Sequence, residues 1–141
     1  MEIITKSKEE TLEFGKKLSE YVQGGDILLL NGNLGAGKTT LVKGLAANLG
    51  IKSEITSPTF TLMNVYPTTS SENIKNLVHI DTYRLKDEKE LEEIGVNDYL
   101  ANPDYLCVVE WPEKMSKLLQ NKKTIIVTIE TISENERKII I

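Results

Sequence analysis

Apolar and polar positions follow two different periods along this chain. Residues 8 to 22 place Leu12, Phe14, Leu18, Tyr21 and Val22 roughly at helical spacing, which predicts a helix. Ser7 precedes it as an N-cap, and Glu9 and Glu10 complement the positive end of the helix dipole. Gly24 and Gly25 stop it. Residues 26 to 31 form a continuous apolar run of strand length, the pattern of a strand covered on both faces. A glycine-rich turn follows, and then an apolar helical stretch from about 38 to 49, closed by Gly50.

The remaining pattern is mostly that of strands. Residues 2 to 5 read as a short edge strand, 57 to 67 as a loop leading into a strand, and 68 to 76 as a polar turn. Two apolar runs, 77 to 81 and 105 to 111, each carry an acid near their end, Asp81 and Glu110. Between them, 87 to 95 reads as a short acidic helix, with a second turn after it. Pro112 sits at a first-turn position, which predicts a helix over 112 to 119. Residues 124 to 131 and 136 to 141 alternate with β-branched residues and predict an antiparallel hairpin at the C-terminus. Strands and helices mixed in this order indicate an α/β class, with a three-layer sandwich expected.

Composition narrows the function classes. The 141 residues fit one domain, 1–141, and 40% hydrophobic with 27% charged is an ordinary globular balance. No apolar run reaches the roughly 20 residues of a membrane helix, and the first ten residues turn charged too early for a secretory signal. One cysteine, Cys107, excludes an internal disulfide framework. A cytoplasmic protein is expected. The net charge of −4 argues against stand-alone nucleic-acid binding. Of 17 basic residues only two, Arg84 and Arg137, are arginine.

The glycine-rich turn carries the most chemistry. Gly32-Asn33-Leu34-Gly35-Ala36-Gly37-Lys38-Thr39 matches G-x-x-x-x-G-K-[ST]. Glycines let the backbone curl so that successive N–H groups face phosphate oxygens, and the next helix adds its N-terminal dipole. Lys38 supplies a point charge to the β- and γ-phosphates, and Thr39 a hydroxyl for Mg²⁺. A buried strand before the motif and an apolar helix after it are the required context.

Magnesium needs a second anchor, normally an acid at the end of a neighbouring buried strand. Glu110, after four apolar residues, is the favoured metal-side acid. Asp81 is expected to hold a metal-bound water or to orient the attacking water. Thr59, in Ser57-Pro58-Thr59-Phe60, is either a hydroxyl that senses the γ-phosphate and metal or part of a proline-set turn. His79 is the only histidine, and reads as a core or sheet-face residue or as a site residue. Trp111 is an anchor or a partner-facing aromatic. A guanine-reading Asn-Lys-x-Asp element is missing, because Asn121-Lys122-Lys123-Thr124 lacks the acid, so adenine is expected. Two arginines are few for a small-molecule kinase, which remains the alternative. An arginine finger would be Arg84 or would come from a partner.

Together, Gly32 through Thr40, Ser57 through Leu62, His79 through Leu85, and Val109 through Pro112 resemble, in order and spacing, the TsaE family of small bacterial ATPases with a phosphate-binding loop. The resemblance covers nearly the whole chain, and Asn33 stands where the family often has Asp. It implies a three-layer P-loop nucleoside-triphosphatase fold whose mixed sheet has a parallel core and an antiparallel C-terminal hairpin. It also implies an ATP- and Mg²⁺-dependent role in modifying the adenosine beside the anticodon of tRNA to threonylcarbamoyladenosine. In that family the ATPase binds the paralogous subunits TsaD and TsaB and resets them between turnovers, so tRNA is reached only indirectly. Carried over by position, nucleotide binding falls to Asn33, Leu34, Gly35, Ala36, Gly37, Lys38, Thr39 and Thr40. Metal binding falls to Thr39 and Glu110, and catalytic or switch roles to Lys38, Asp81, Glu110 and Thr59. Ser7 to Thr11, at the start of the first helix, resembles the family's adenine-side segment.

Overall fold

The computed structural model describes residues 1–58 and 61–141. Thr59, expected as a catalytic or switch residue, and its neighbour Phe60 lie outside the described residues. The order of elements is β1 (Glu2–Thr5), α1 (Lys8–Leu18), β2 (Ile27–Asn31), α2 (Lys38–Asn48), β3 (Met63–Pro67), β4 (Asn76–Asp81), α3 (Lys89–Glu93), β5 (Tyr105–Glu110), β6 (Ile125–Thr131) and β7 (Arg137–Ile140). All seven strands join one sheet in the order β1-β7-β6-β2-β5-β4-β3.

The four central strands are parallel: β2 pairs with β5 and β6, and β4 with β5. The outer pairings, β3 with β4, β6 with β7 and β1 with β7, are antiparallel. The expected parallel core and antiparallel C-terminal hairpin are therefore present. Alternate residues of the central strands enter two separate cores, which is why their sequences read as unbroken apolar runs. Leu28, Leu30, Leu77, Leu106, Val108 and Val127 pack with Phe14, Leu18, Leu41, Val42 and Leu45 under α1 and α2. Ile27, Leu29, Val78, Ile80, Cys107 and Val109 pack on the opposite face with Leu85, Leu91, Val96, Met115 and Leu118. Burial in that second core pushes the Cys107 thiol up to about 12, so it stays a protonated apolar filler.

Three expected helices are shorter than their patterns, the acidic one over 87 to 95 being reduced to Lys89–Glu93. The first ends at Leu18, not at 22. Ser19 turns its hydroxyl back onto Lys16 O at 2.6 Å, and Tyr21 is 83% exposed, so only Val22 returns to the core. Beyond Trp111, the expected helix is reduced to one 3-10 turn over Pro112–Met115. Lys117 N and Leu118 N donate to the Glu88 carboxylate at 3.2 and 3.0 Å rather than continuing a helical ladder. The second turn after the acidic helix is likewise a 3-10 turn, Val96–Asp98. No helix among the described residues is long and apolar enough to cross a membrane.

Because β2, β4 and β5 are parallel, their C-terminal ends share one edge of the sheet. Open α/β sheets bind ligands at that edge. Here β2 leads into the glycine-rich loop, and the β4–β5 register sets Asp81 directly beside Glu110.

Candidate functional site

Two cavities flank the glycine-rich loop and share Gly35, Gly37 and Thr40 in their walls. The larger, about 480 Å³, brings together Lys38, Thr39, Asp81, Glu110 and Trp111. The second, about 380 Å³, lies between the loop, the start of α1 and the β6–β7 turn, and includes Ser7, Thr11, Glu134 and Arg137.

The loop's conformation follows from its glycines. Gly35 and Gly37 have φ of +79° and +106°, in the left-handed region that glycine tolerates. Gly37 is the N-cap of α2 and offers no side-chain cap, so the first N–H groups of the helix have no side-chain acceptor. Unfilled donors at a helix start, beside an ammonium, suit a phosphate-like anion. Not every expected loop residue faces the cavities. Leu34 lines the larger one, but Asn33 and Ala36 line neither. Ala36 N–H is already committed to Asn33 O at 3.0 Å.

Lys38 is buried. Its Nζ donates to Gly32 O at 2.7 Å, lies 3.9 Å from the centroid of the Trp111 ring and stands 4.0 Å from Glu110 Oε1. Burial holds the ammonium below its ordinary value, against the raising influence of Glu110, Asp81 and Glu113. Trp111 is placed over the lysine by a φ of +59°, by Tyr83 with ring centroids 5.1 Å apart, and by Thr82, whose hydroxyl donates to the carbonyls of Glu110 and Trp111.

The two acids face the same cavity with different partners. Asp81 accepts from Ser57 Oγ at 2.8 Å and Tyr83 N at 2.9 Å. Glu110 Oε2 pairs with His79 Nε2 at 2.7 Å. With its proton on Nε2, His79 donates to Glu110, and its buried Nδ1 then has no partner among the described residues. The sequence pattern alone is compatible with either a core or a site role for His79. Period-two alternation on β4 puts it on the same face as Asp81, but its partner is fixed only by the pairing with β5.

Among the described residues, no group of three His, Cys, Asp or Glu side chains forms a ready metal cluster. A cation held between Thr39 and Glu110 would draw most of its shell from phosphate and water, as magnesium commonly does. The residues present fit that arrangement: one hydroxyl, one fixed carboxylate and a helix start without a side-chain cap.

Ser7 and Thr11, expected on the adenine side, also have structural partners. Ser7 Oγ accepts from Glu10 N at 3.1 Å, which caps α1, and Thr11 Oγ1 lies 2.7 Å from Thr5 Oγ1. Arg84 lines the larger cavity, and Arg137, to which the sequence assigned no role, lines the smaller one.

The family model described as Threonylcarbamoyl adenosine biosynthesis protein TsaE matches residues 5–139. A Treponema pallidum protein named tRNA threonylcarbamoyladenosine biosynthesis protein TsaE is 34% identical over 99% of this chain and 98% of its own length. An Aquifex aeolicus protein of the same name is 38% identical over 98% of this chain and 92% of its own. The crystal structure of YdiB from Bacillus subtilis superposes with a TM-score of 0.78 at 30% identity, covering 99% of this chain and 82% of that one. Matches that run through the glycine-rich loop and both acid-bearing strands place this chain in the TsaE family of threonylcarbamoyl adenosine biosynthesis proteins.

Proposed function

We propose that the chain is a magnesium-dependent ATPase that supports threonylcarbamoyladenosine modification of tRNA in the cytoplasm, as one domain acting on a complex of TsaB and TsaD. The observation that carries this reading is the convergence of Lys38, the uncapped start of α2, Asp81 and Glu110 on one cavity. The N–H groups of α2 and the Lys38 ammonium hold the β- and γ-phosphate oxygens. Lys38 exchanges Gly32 O for phosphate as it does so. Thr39 and Glu110 are the residues that would hold magnesium, which supplies charge neutralisation on the transferring phosphoryl group. His79 fixes the Glu110 carboxylate, while Ser57 and Tyr83 N–H fix Asp81 to orient the attacking water. Ser7 and Thr11 wall the base side. The net charge of −4 supports a route to tRNA through protein partners, since direct contact would meet phosphate repulsion.

The test is phosphate release from ATP by wild type and Lys38→Ala, with and without purified TsaB and TsaD. Wild type should release free phosphate, most strongly with both partners, and Lys38→Ala should release none while keeping its circular dichroism spectrum. Wild-type hydrolysis in that variant would overturn the assignment. A phosphorylated metabolite formed without partners would instead favour a small-molecule kinase.

A further inference from the structure

The turn between β6 and β7 lines the smaller cavity together with the glycine-rich loop, and one side chain joins them. Arg137 opens β7, paired with Thr131 of β6 and Thr5 of β1. Its Nε donates to Ala36 O at 2.9 Å and its Nη2 to Gly35 O at 3.4 Å. Its Nη1 is shared among Ser133 O, Glu134 O and Glu136 O at 2.8, 3.2 and 3.0 Å. Each of these acceptors is a backbone carbonyl. A guanidinium with its fork spread over two strand-separated segments is a rigid splint, a task for which lysine's single point charge is unsuited.

The effect on the loop follows from peptide geometry. In a trans peptide the C=O of one residue and the N–H of the next point in opposite directions. Holding Ala36 O toward Arg137 therefore turns Gly37 N–H away from it. Holding Gly35 O toward Arg137 turns Ala36 N–H away from it, where Asn33 O takes it at 3.0 Å. Arg137 thus fixes both peptide units on either side of Ala36 before any phosphate arrives. It does so from a residue 101 positions away in the chain.

We propose that Arg137 is a positioning residue for nucleotide binding, acting through the Gly35 and Ala36 carbonyls to preorganise the phosphate loop. The inference rests on the nucleotide reading above and adds to it the residue that shapes the loop. Preorganisation raises affinity by removing an ordering cost that binding would otherwise carry.

The experiment titrates ADP and, separately, inorganic pyrophosphate into wild type, Arg137→Ala and Arg137→Lys, alongside thermal melts without ligand. Arg137→Ala should weaken both ligands by a similar factor of about 10 to 100, the scale of losing hydrogen bonds from a charged donor. Arg137→Lys should recover only a small part. Pyrophosphate has no base or ribose, so a loss confined to ADP would overturn the proposal and assign Arg137 to the base side. Unchanged affinity for both ligands in a folded variant would overturn it as well. If Arg137→Ala does not fold, Arg137→Lys is the deciding variant, and wild-type pyrophosphate affinity in it overturns the proposal. Failure of wild type itself to bind ADP would instead strike the nucleotide reading.

Discussion

Replacing Gly44 by alanine tests the packing that sets the site's dimensions. Gly44 in α2 faces Gly15 in α1 where the two helices cross. A Cβ on Gly44 would lie 2.2 Å from Leu12 O and 2.9 Å from Gly15 Cα, and one on Gly15 would lie 2.4 Å from Leu41 O. Every obstacle is backbone, so no side chain can swing aside, and the helices must separate by roughly 1 Å to restore ordinary contact. Two effects compete. Alanine favours a helix interior over glycine by about 0.8–1.0 kcal/mol. Overpacking costs about 1–3 kcal/mol or more, and the separation also loosens Phe14, Leu18, Leu41 and Leu45 at the same interface. With backbone obstacles at 2.2 and 2.9 Å the overpacking falls in the upper part of that range, so the steric term wins, with a net loss of about 1–2 kcal/mol and a melting temperature lowered by about 2–8 °C. Ala47→Gly, on the exposed side of the same helix, is the control and should cost only the propensity term. Ser7 and Thr11 ride on α1 and Lys38 to Thr40 on α2, so Gly44→Ala should also weaken ADP binding. Thermal denaturation decides the matter: a variant melting at or above wild type would refute the close-packed crossing.

Two further outcomes follow from the buried polar groups. His79→Phe removes the 2.7 Å partner of Glu110 and leaves a buried carboxylate under-satisfied, so ATP hydrolysis should require more Mg²⁺ and the fold should lose about 1–3 kcal/mol. His79→Gln, whose amide can donate to the same oxygen, should preserve more of both, and identical Mg²⁺ curves for wild type and His79→Phe would contradict the positioning role. Lys38 is held below its ordinary 10.5 by burial, so between its folded value and 10.5 the unfolded chain binds a proton that the folded chain has released. Wild type should therefore gain stability relative to Lys38→Met as pH rises through that window, read by urea unfolding at successive pH values. A gap that does not change with pH would show that burial does not disfavour the charge.

The sequence made the strands legible because both faces of the central sheet are covered. Ile27 to Leu30 and Leu106 to Val109 have no polar interruption to confuse the period. The loop was legible because its chemistry needs glycines at fixed spacing. Helix ends were less so. Leu18 and Val22 sit at compatible helical positions, yet the Ser19 turn delivers Val22 to the core without a helix. Pro112 suggested a helix start, but the left-handed Trp111 before it aims the indole at Lys38 and leaves only a 3-10 turn. The two contacts most removed from local pattern, His79 with Glu110 and Arg137 with Ala36, depend on sheet order. Strand order brings β4 beside β5 and closes β7 between β1 and β6, and no periodicity encodes which strand becomes whose neighbour.

Local rules are broken around one cavity in a way that a merely structural sheet edge would not require. Lys38 carries a charge that its burial disfavours, Trp111 adopts a φ of +59°, and His79 buries a ring nitrogen without a partner among the described residues. Positive φ by itself marks nothing here, since Leu62, Ala101 and Asn121 also adopt it in connecting segments. The coincidence is what matters. Trp111 touches Lys38, Lys38 approaches Glu110, and Glu110 is held by His79. Each departure costs of order 1–3 kcal/mol, and such strain persists only where surrounding structure over-determines it. The two flanking cores supply that constraint, with Leu28, Leu77, Val78, Leu106 and Val109 fully buried on either side of the strands that carry these residues. An anion entering the cavity would give Lys38 a better partner than Gly32 O and draw it from the indole. An anion that replaced the strained contacts of Lys38 would return part of their cost on binding, which is the condition for a site whose conformation responds to its ligand.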